Sequence, residues 1–229
     1  MHEVKQGAAC FATLTYDDDH LPKDLSLSLG DCQKFIKRLR KNSKNKVRYY
    51  LGAEYGTYGK RPHYHVILFG LSKADTKTIE LSWGLGYVYV GDVNHDSASY
   101  VAGYTLKKLD SLAAYNGRKP EFSLMSRRPG IGADYLKTNT EWLKNNGFCI
   151  AKGNKVAMPR YYADKVFTTP EDKELLHQKR QQVINEGFAL SQQKSGVSVD
   201  YQVSDYQRSE RAQGEADLKC RQALKKRKL

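Results

Sequence analysis

The run His63-Tyr64-His65-Val66-Ile67-Leu68-Phe69 constrains the fold of this chain more than any other stretch. It is short, rich in β-formers and continuously apolar at its end, which predicts a strand at the centre of a sheet, covered on both faces. Residues 10–16, 47–54 and 87–90 also read as strands. The first alternates, the second is closed by a glycine turn at 56–59, and the third is flanked by Gly86 and Gly91. Helical spacing of Phe35, Ile36 and Leu39 predicts a helix over 30–41. Shorter helices are expected over 74–82 and from a cap at Ser97 or Ser99 to about residue 109. Strand, helix, strand, strand, helix, strand, helix is the order of an α+β domain, a central, mostly antiparallel sheet with flanking helices.

Further along, the pattern gives a helix over 131–143, a hairpin over 148–158 turning at Gly153-Asn154, and a helix over 171–190. The stretch 191–204 is polar. From Leu218 the chain carries Lys219, Arg221, Lys225, Lys226, Arg227 and Lys228, the composition of a mobile or exposed helical tail. These readings divide the chain into a domain over 1–165, with its core motifs in 9–110 and accessory segments in 111–165, and a helical, polar and basic C-terminal extension over 166–229.

A net charge of +13 directs attention to a polyanionic partner. No apolar run reaches the roughly 18–20 residues of a membrane span, and the N-terminus has no signal-peptide core. Cys10, Cys32, Cys149 and Cys220 are scattered without a CxxC pair, so they read as reduced, mostly buried residues of a cytosolic protein. No GxxxxGK[ST] loop occurs, so any helicase activity must come from elsewhere.

On a strand, His63 and His65 project from one face, about 7 Å apart. Two imidazoles so held can converge on one divalent cation, whereas an isolated HxH is more often a pair of ordinary strand histidines. Glu54 ends the preceding strand, and a tight hairpin would bring it beside the doublet. Two histidines and one carboxylate suit Mg2+ or Mn2+. Arg61 enters the same strand as a phosphate-seeking cation.

Tyr100 and Tyr104 lie one helical turn apart, with Lys107 on the same face. The plain alternative is an aromatic stripe packed on the sheet. Against it, Gly103 inside the helix costs about 1 kcal/mol relative to alanine, a hint that a backbone or DNA approaches there. A phenol is protonated at neutral pH and needs help to attack phosphorus, which a metal at His63, His65 and Glu54 would give by polarising the phosphate. Lys107 suits stabilisation of the phenolate or phosphate, or is ordinary surface. Two nucleophiles on adjacent turns permit successive strand transfers. The helix at 30–41 carries a basic face of Lys34, Lys37, Arg38, Arg40 and Lys41 able to meet phosphates, although such faces are usually just solvated.

Together these residues resemble the HUH endonucleases, and more closely the replication initiation proteins of microviruses, especially the gokushovirus branch. Phe11-Ala12-Thr13-Leu14-Thr15-Tyr16 is similar to the first family motif, His63-Tyr64-His65 to the metal-binding second, and Tyr100-x-x-x-Tyr104 with Lys107 to the two-tyrosine third. The stretch from Glu121 to Gly132, with Ser126-Arg127-Arg128-Pro129-Gly130 inside it, and Pro159-Arg160-Tyr161-Tyr162 resemble segments of that branch, so the likeness spans 9 to about 165. It implies the HUH (RRM/ferredoxin-like) fold and rolling-circle replication in the cytoplasm of a bacterial host. A tyrosine would nick the single-stranded DNA origin and keep the 5′ phosphate. The 3′ hydroxyl would pass to the host replication machinery, and the displaced strand would later be cut and rejoined. It also implies phosphate contacts at Arg127 and Arg128. Relatives often carry a cysteine-rich segment before the first motif, whereas eight residues precede Ala9 here, and many carry a longer, often basic side chain where Gly103 stands. Two other functions fit the residues: a metal nuclease using water, with both tyrosines structural, and a non-catalytic basic protein that coats single-stranded DNA.

Overall fold

The computed structural model describes residues 1–56, 60–107, 115, 117–151 and 153–195, and not the side chains of 104–107, 184 and 186–195. The basic end of the chain and Cys220 lie outside the described residues. Two compact units are present, Met1–Thr140 and a second beginning at Glu141 within a helix. The boundary expected at 165 falls inside the second unit.

The first unit is an α+β domain built on five antiparallel strands, β1 (Ala9–Tyr16), β2 (Arg48–Tyr55), β3 (Pro62–Phe69), β4 (Gly86–Asp92) and β5 (Phe122–Met125). Their order across the sheet is β4-β1-β3-β2-β5, so β3 takes the central place its apolar run predicts. The edge strand β5 was not legible in the sequence; it is four residues long and is defined by its pairing with β2. Helices α1 (Leu29–Asn42), α2 (Thr76–Trp83) and α3 (His95–Lys107) complete this part. The cap of α3 lies earlier than Ser97 or Ser99. Asn94 and Ser97 exchange side chain to backbone hydrogen bonds, the Ser97 amide donating to Asn94 Oδ1 at 2.7 Å and the Asn94 amide to Ser97 Oγ at 2.9 Å. Ser97 is therefore the third helical residue of a capping-box arrangement.

Strand alternation sends Cys10, Ala12, Leu14, Tyr16, Leu51, Ala53, Tyr64, Val66 and Leu68 to one face, where they share a core with Cys32, Phe35, Ile36 and Leu39 of α1 and Ile79 and Trp83 of α2. Its polar groups are paired: Trp83 Nε1 donates to the Thr15 carbonyl, and the Tyr16 hydroxyl meets both Asp31 Oδ2 and the Tyr64 hydroxyl at 3.0 Å. On the other face, Val101 of α3 packs with Ile67 and Phe69, along with Phe11 and Tyr50. This second face carries His63 and His65.

The second unit contains the end of α4 (Ala133–Asn146), a hairpin of β6 (Phe148–Ala151) and β7 (Asn154–Ala157), α5 (Arg160–Val166) and α6 (Pro170–Ser195). Ala151 pairs with Asn154, so the strand has already resumed at Asn154, one residue earlier than the turn expected at Gly153-Asn154. Helix α5 has no counterpart in the sequence reading. Cys10, Cys32 and Cys149 are free and buried, as expected. No described helix is long and apolar enough to cross a membrane.

Candidate active site

Residues at the His63 end of β3 form two rows across the sheet. Thr15, His63 and Glu54 are aligned in one, Thr13, His65 and Gly52 in the next. Thr15 Oγ1 lies 3.1 Å from His63 Nδ1, and Thr13 Oγ1 lies 3.1 Å from His65 Nδ1. Glu54 stands opposite His63, but its carboxylate reaches diagonally, placing Oε1 at 2.7 Å from His65 Nε2. The carboxylate accepts there, so His65 carries its proton on Nε2 and its Nδ1 accepts from Thr13. A threonine hydroxyl serves either tautomer, so each Nδ1 keeps its partner when Nε2 takes up another ligand. Thr13 and Thr15 are functional residues that the sequence reading passed over, although the alternation of β1 already placed them on one face.

Tyr64, between the histidines, holds the strand from behind. Its side chain is fully buried, and its hydroxyl accepts from the Ser28 amide at 2.8 Å. Burial pushes the Tyr64 and Tyr16 phenols up from their ordinary value, so both stay protonated and neither is available as a nucleophile. Burial, then the neighbouring His65, push the His63 imidazole down; Glu54 opposes this and Arg61 adds to it. That ring is therefore held neutral, as a ligand must be.

Among the described residues, no three acid, histidine or cysteine side chains form a ready metal cage, and the Glu54 carboxylate is engaged by His65. The donor set nonetheless fits a divalent cation: both Nδ1 atoms are occupied by threonines, which leaves each Nε2 as the ligating atom. Space is kept for it at Gly56, where a Cβ would stand 2.8 Å from His63 Nε2. Gly56→Ala is therefore expected to swing the His63 ring aside. It should lower any metal-dependent activity about 10–100-fold while changing the unfolding free energy by less than about 1 kcal/mol. Parallel activity and urea-melt measurements check this.

Tyr100, on the second turn of α3, places its ring edge-on to His65 with centroids 5.3 Å apart, and it is 51 % exposed. Tyr104 follows one turn later in the same helix, then Lys107; the side chains of both lie outside the described residues. A Cβ at Gly103 would meet nothing within 4 Å among the described residues, so no described backbone approaches it closely.

The basic residues are not gathered at this site, Arg61 excepted. Arg61 donates to the Tyr16 carbonyl at 2.9 Å and to Asp18 Oδ1 at 2.8 Å, tying the ends of β1 and β3 together. Arg38 is engaged in the fold: it donates to the Ser82 and Trp83 carbonyls at 2.6 and 2.7 Å, closing the end of α2. Its neighbour Lys37 is exposed on α1, whose core side packs against the opposite face of the sheet. Arg38→Met should cost about 1.5–3 kcal/mol, while Lys37→Met should stay within about 0.5 kcal/mol of wild type, both read by urea denaturation. Arg127 and Arg128 lie towards the other end of β2, where Ser126 pairs with Tyr49, about 17 Å along the strand from Glu54. With Arg40, Lys46 and Arg48 they line a cleft of about 880 Å³. Arg48 is committed to structure, donating to the Pro129 and Gly130 carbonyls and pairing with Glu3 at 2.9 Å.

An antiparallel α+β sheet with a His-x-His strand at its centre and a tyrosine-bearing helix across one face is the HUH-endonuclease fold. Residues 9–109 match the family model of the replication-associated protein ORF2. Replication-associated protein ORF2 of Spiroplasma virus 4 is 31 % identical over 86 % of this chain and 71 % of its own length. Replication-associated protein VP4 of Bdellovibrio phage phiMH2K is 34 % identical over 67 % of this chain, which spans only 56 % of that relative. Replication-associated protein ORF4 of Chlamydia phage 1 is 26 % identical over 66 % of this chain and 44 % of its own length. No solved structure matches. The chain belongs to the replication-associated protein family of these small phages.

Proposed function

We propose that this chain initiates rolling-circle replication as a metal-dependent single-stranded DNA endonuclease and strand-transferase. The observation that carries the reading is the exposed Tyr100 phenol standing edge-on to His65, itself hydrogen-bonded to Glu54. His63, His65 and Glu54 would hold Mg2+ or Mn2+, which when bound polarises the scissile phosphate and offsets the charge that develops on it. The threonines keep both imidazoles oriented, and Tyr64 fixes the strand that bears them. The Tyr100 oxygen attacks phosphorus, forming the O–P bond as the bond to the 3′ oxygen breaks; the phenolic proton leaves to water and the 3′ oxygen takes one up. The 5′ phosphate stays on the tyrosine, and the 3′ hydroxyl is open to extension by the host replication machinery in the bacterial cytoplasm. Tyr104, one turn along α3, would repeat the attack on the regenerated junction, with Lys107 placed to stabilise phenolate or phosphate.

Single-stranded oligonucleotides tiling the genome of the chain's own virus, incubated with the protein and Mg2+ or Mn2+, should give a protease-sensitive covalent adduct that chelator prevents. Cutting without an adduct would favour water as nucleophile, and chelator-insensitive binding without cutting would favour a coating protein.

A further inference from the structure

The site face is half covered. Helix α3 packs over β3 through Val101 against Ile67 and Phe69, and reaches the histidines with Tyr100. On the other side of the doublet, β1 offers only Thr13 and Thr15, and the edge strand β4 follows. Its Val88 and Val90 turn to the core, while Tyr87 and Tyr89 turn to the site face, 72 % and 66 % exposed. Register aligns them with the catalytic rows: Tyr87 opposes Thr15, which opposes His63, and Tyr89 opposes Thr13, which opposes His65. Each tyrosine is thus two strands, about 10 Å, from its histidine.

Strand propensity alone does not account for these residues. Threonine serves an edge strand as well, and two large aromatics side by side in water forgo the burial that makes aromatic rings stabilising. Gly91 adds a local sign. A Cβ there would stand 3.3 Å from Tyr89 Cε1, so the bare glycine lets the Tyr89 ring lie along the strand. Lys73, paired with Asp92, raises the positive potential beside that ring. An open aromatic pair, continuous with a phosphate-handling site on a chain of charge +13, matches the chemistry of unpaired bases on a charged backbone.

We propose that Tyr87 and Tyr89 form a base-stacking platform for the single strand that flanks the phosphate held at His63 and His65. The proposal rests on the nicking function above and names the residues that seat its substrate. Stacking is sequence-tolerant, so the platform fixes where the strand lies while leaving origin choice to other contacts.

The test is the affinity of the full chain for fluorescein-labelled oligo-dT in the presence of chelator. Y87L/Y89L should bind about 10-fold more weakly per ring removed, with an unchanged slope against salt because no phosphate contact is lost. Y87F/Y89F, which keeps the rings, should bind as wild type. Equal affinity of the leucine variant, or an equal loss in the phenylalanine variant, would overturn the platform. So would unchanged oligo-dT affinity with a shift from dimer to monomer in sedimentation, which would assign the β4 edge to self-association. Tyrosine-dependent binding without any adduct on the tiled oligonucleotides would retain the platform and remove the nicking function; an adduct with tyrosine-independent binding would do the reverse. Failure of the wild type to bind oligo-dT overturns the platform whatever the adduct assay gives.

Discussion

Replacing Tyr100 and Tyr104 together with phenylalanine is expected to abolish the covalent protein–DNA product, lowering its rate of formation by at least about 10³-fold. Phenylalanine keeps the ring and so the edge-on contact with His65 at 5.3 Å; only the attacking oxygen is lost. Divalent-metal binding, which depends on His63, His65 and Glu54, should be unchanged by calorimetry. Single variants are informative in a different way. If the two phenols alternate, either Y100F or Y104F alone should retain one round of cleavage and lose the rejoining that needs both. Unchanged adduct yield in the double variant would require another nucleophile, and Tyr16 and Tyr64 do not qualify, since both are buried and hydrogen-bonded.

His65→Ala is expected to combine a catalytic loss with a structural one. The catalytic loss should be at least about 10²-fold, as for removal of a charge-stabilising group. The structural loss arises because Glu54, as deeply buried as His65, would be left with a carboxylate facing no imidazole, at a cost of about 3 kcal/mol. Adding Glu54→Gln to His65→Ala replaces the orphaned charge with a neutral amide. The double variant should recover much of the lost stability in urea melts and none of the cleavage. Recovery of cleavage along with stability would show that the pair merely supports the fold.

Much of this arrangement is legible in the sequence, and the exceptions have identifiable causes. The central place of β3 follows from an apolar run that only a strand covered on both faces can bury, and the His63–His65 spacing follows from strand pleat. That Glu54 lies near the doublet follows from a short hairpin. That it reaches diagonally to His65, while opposite His63, depends on register and rotamer, which no sequence pattern encodes. Arg38 and Lys37 are indistinguishable as letters on a basic helix face; packing of α1 against α2 turns one into a helix-end ligand and leaves the other in water. Strand β5 and helix α5 are too short to carry a periodic signal of their own, and tertiary pairing or docking decides such segments. Tyr87 and Tyr89 are visible as strand residues, but their alignment with the histidines emerges only once β4 is placed beside β1.

The central claim, that a phenol on α3 takes the phosphate, is tested most directly by identifying the residue bound to DNA. No lysine or arginine lies between Lys77 and Lys107, so trypsin releases residues 78–107 as one peptide containing Tyr87, Tyr89, Tyr100 and Tyr104. After metal-dependent cleavage, nuclease digestion and trypsin, fragmentation mass spectrometry of that peptide should place the residual nucleotide on Tyr100 or Tyr104. Cleaved DNA with a free 5′ phosphate and an unmodified peptide, or a nucleotide on any other residue, would contradict it.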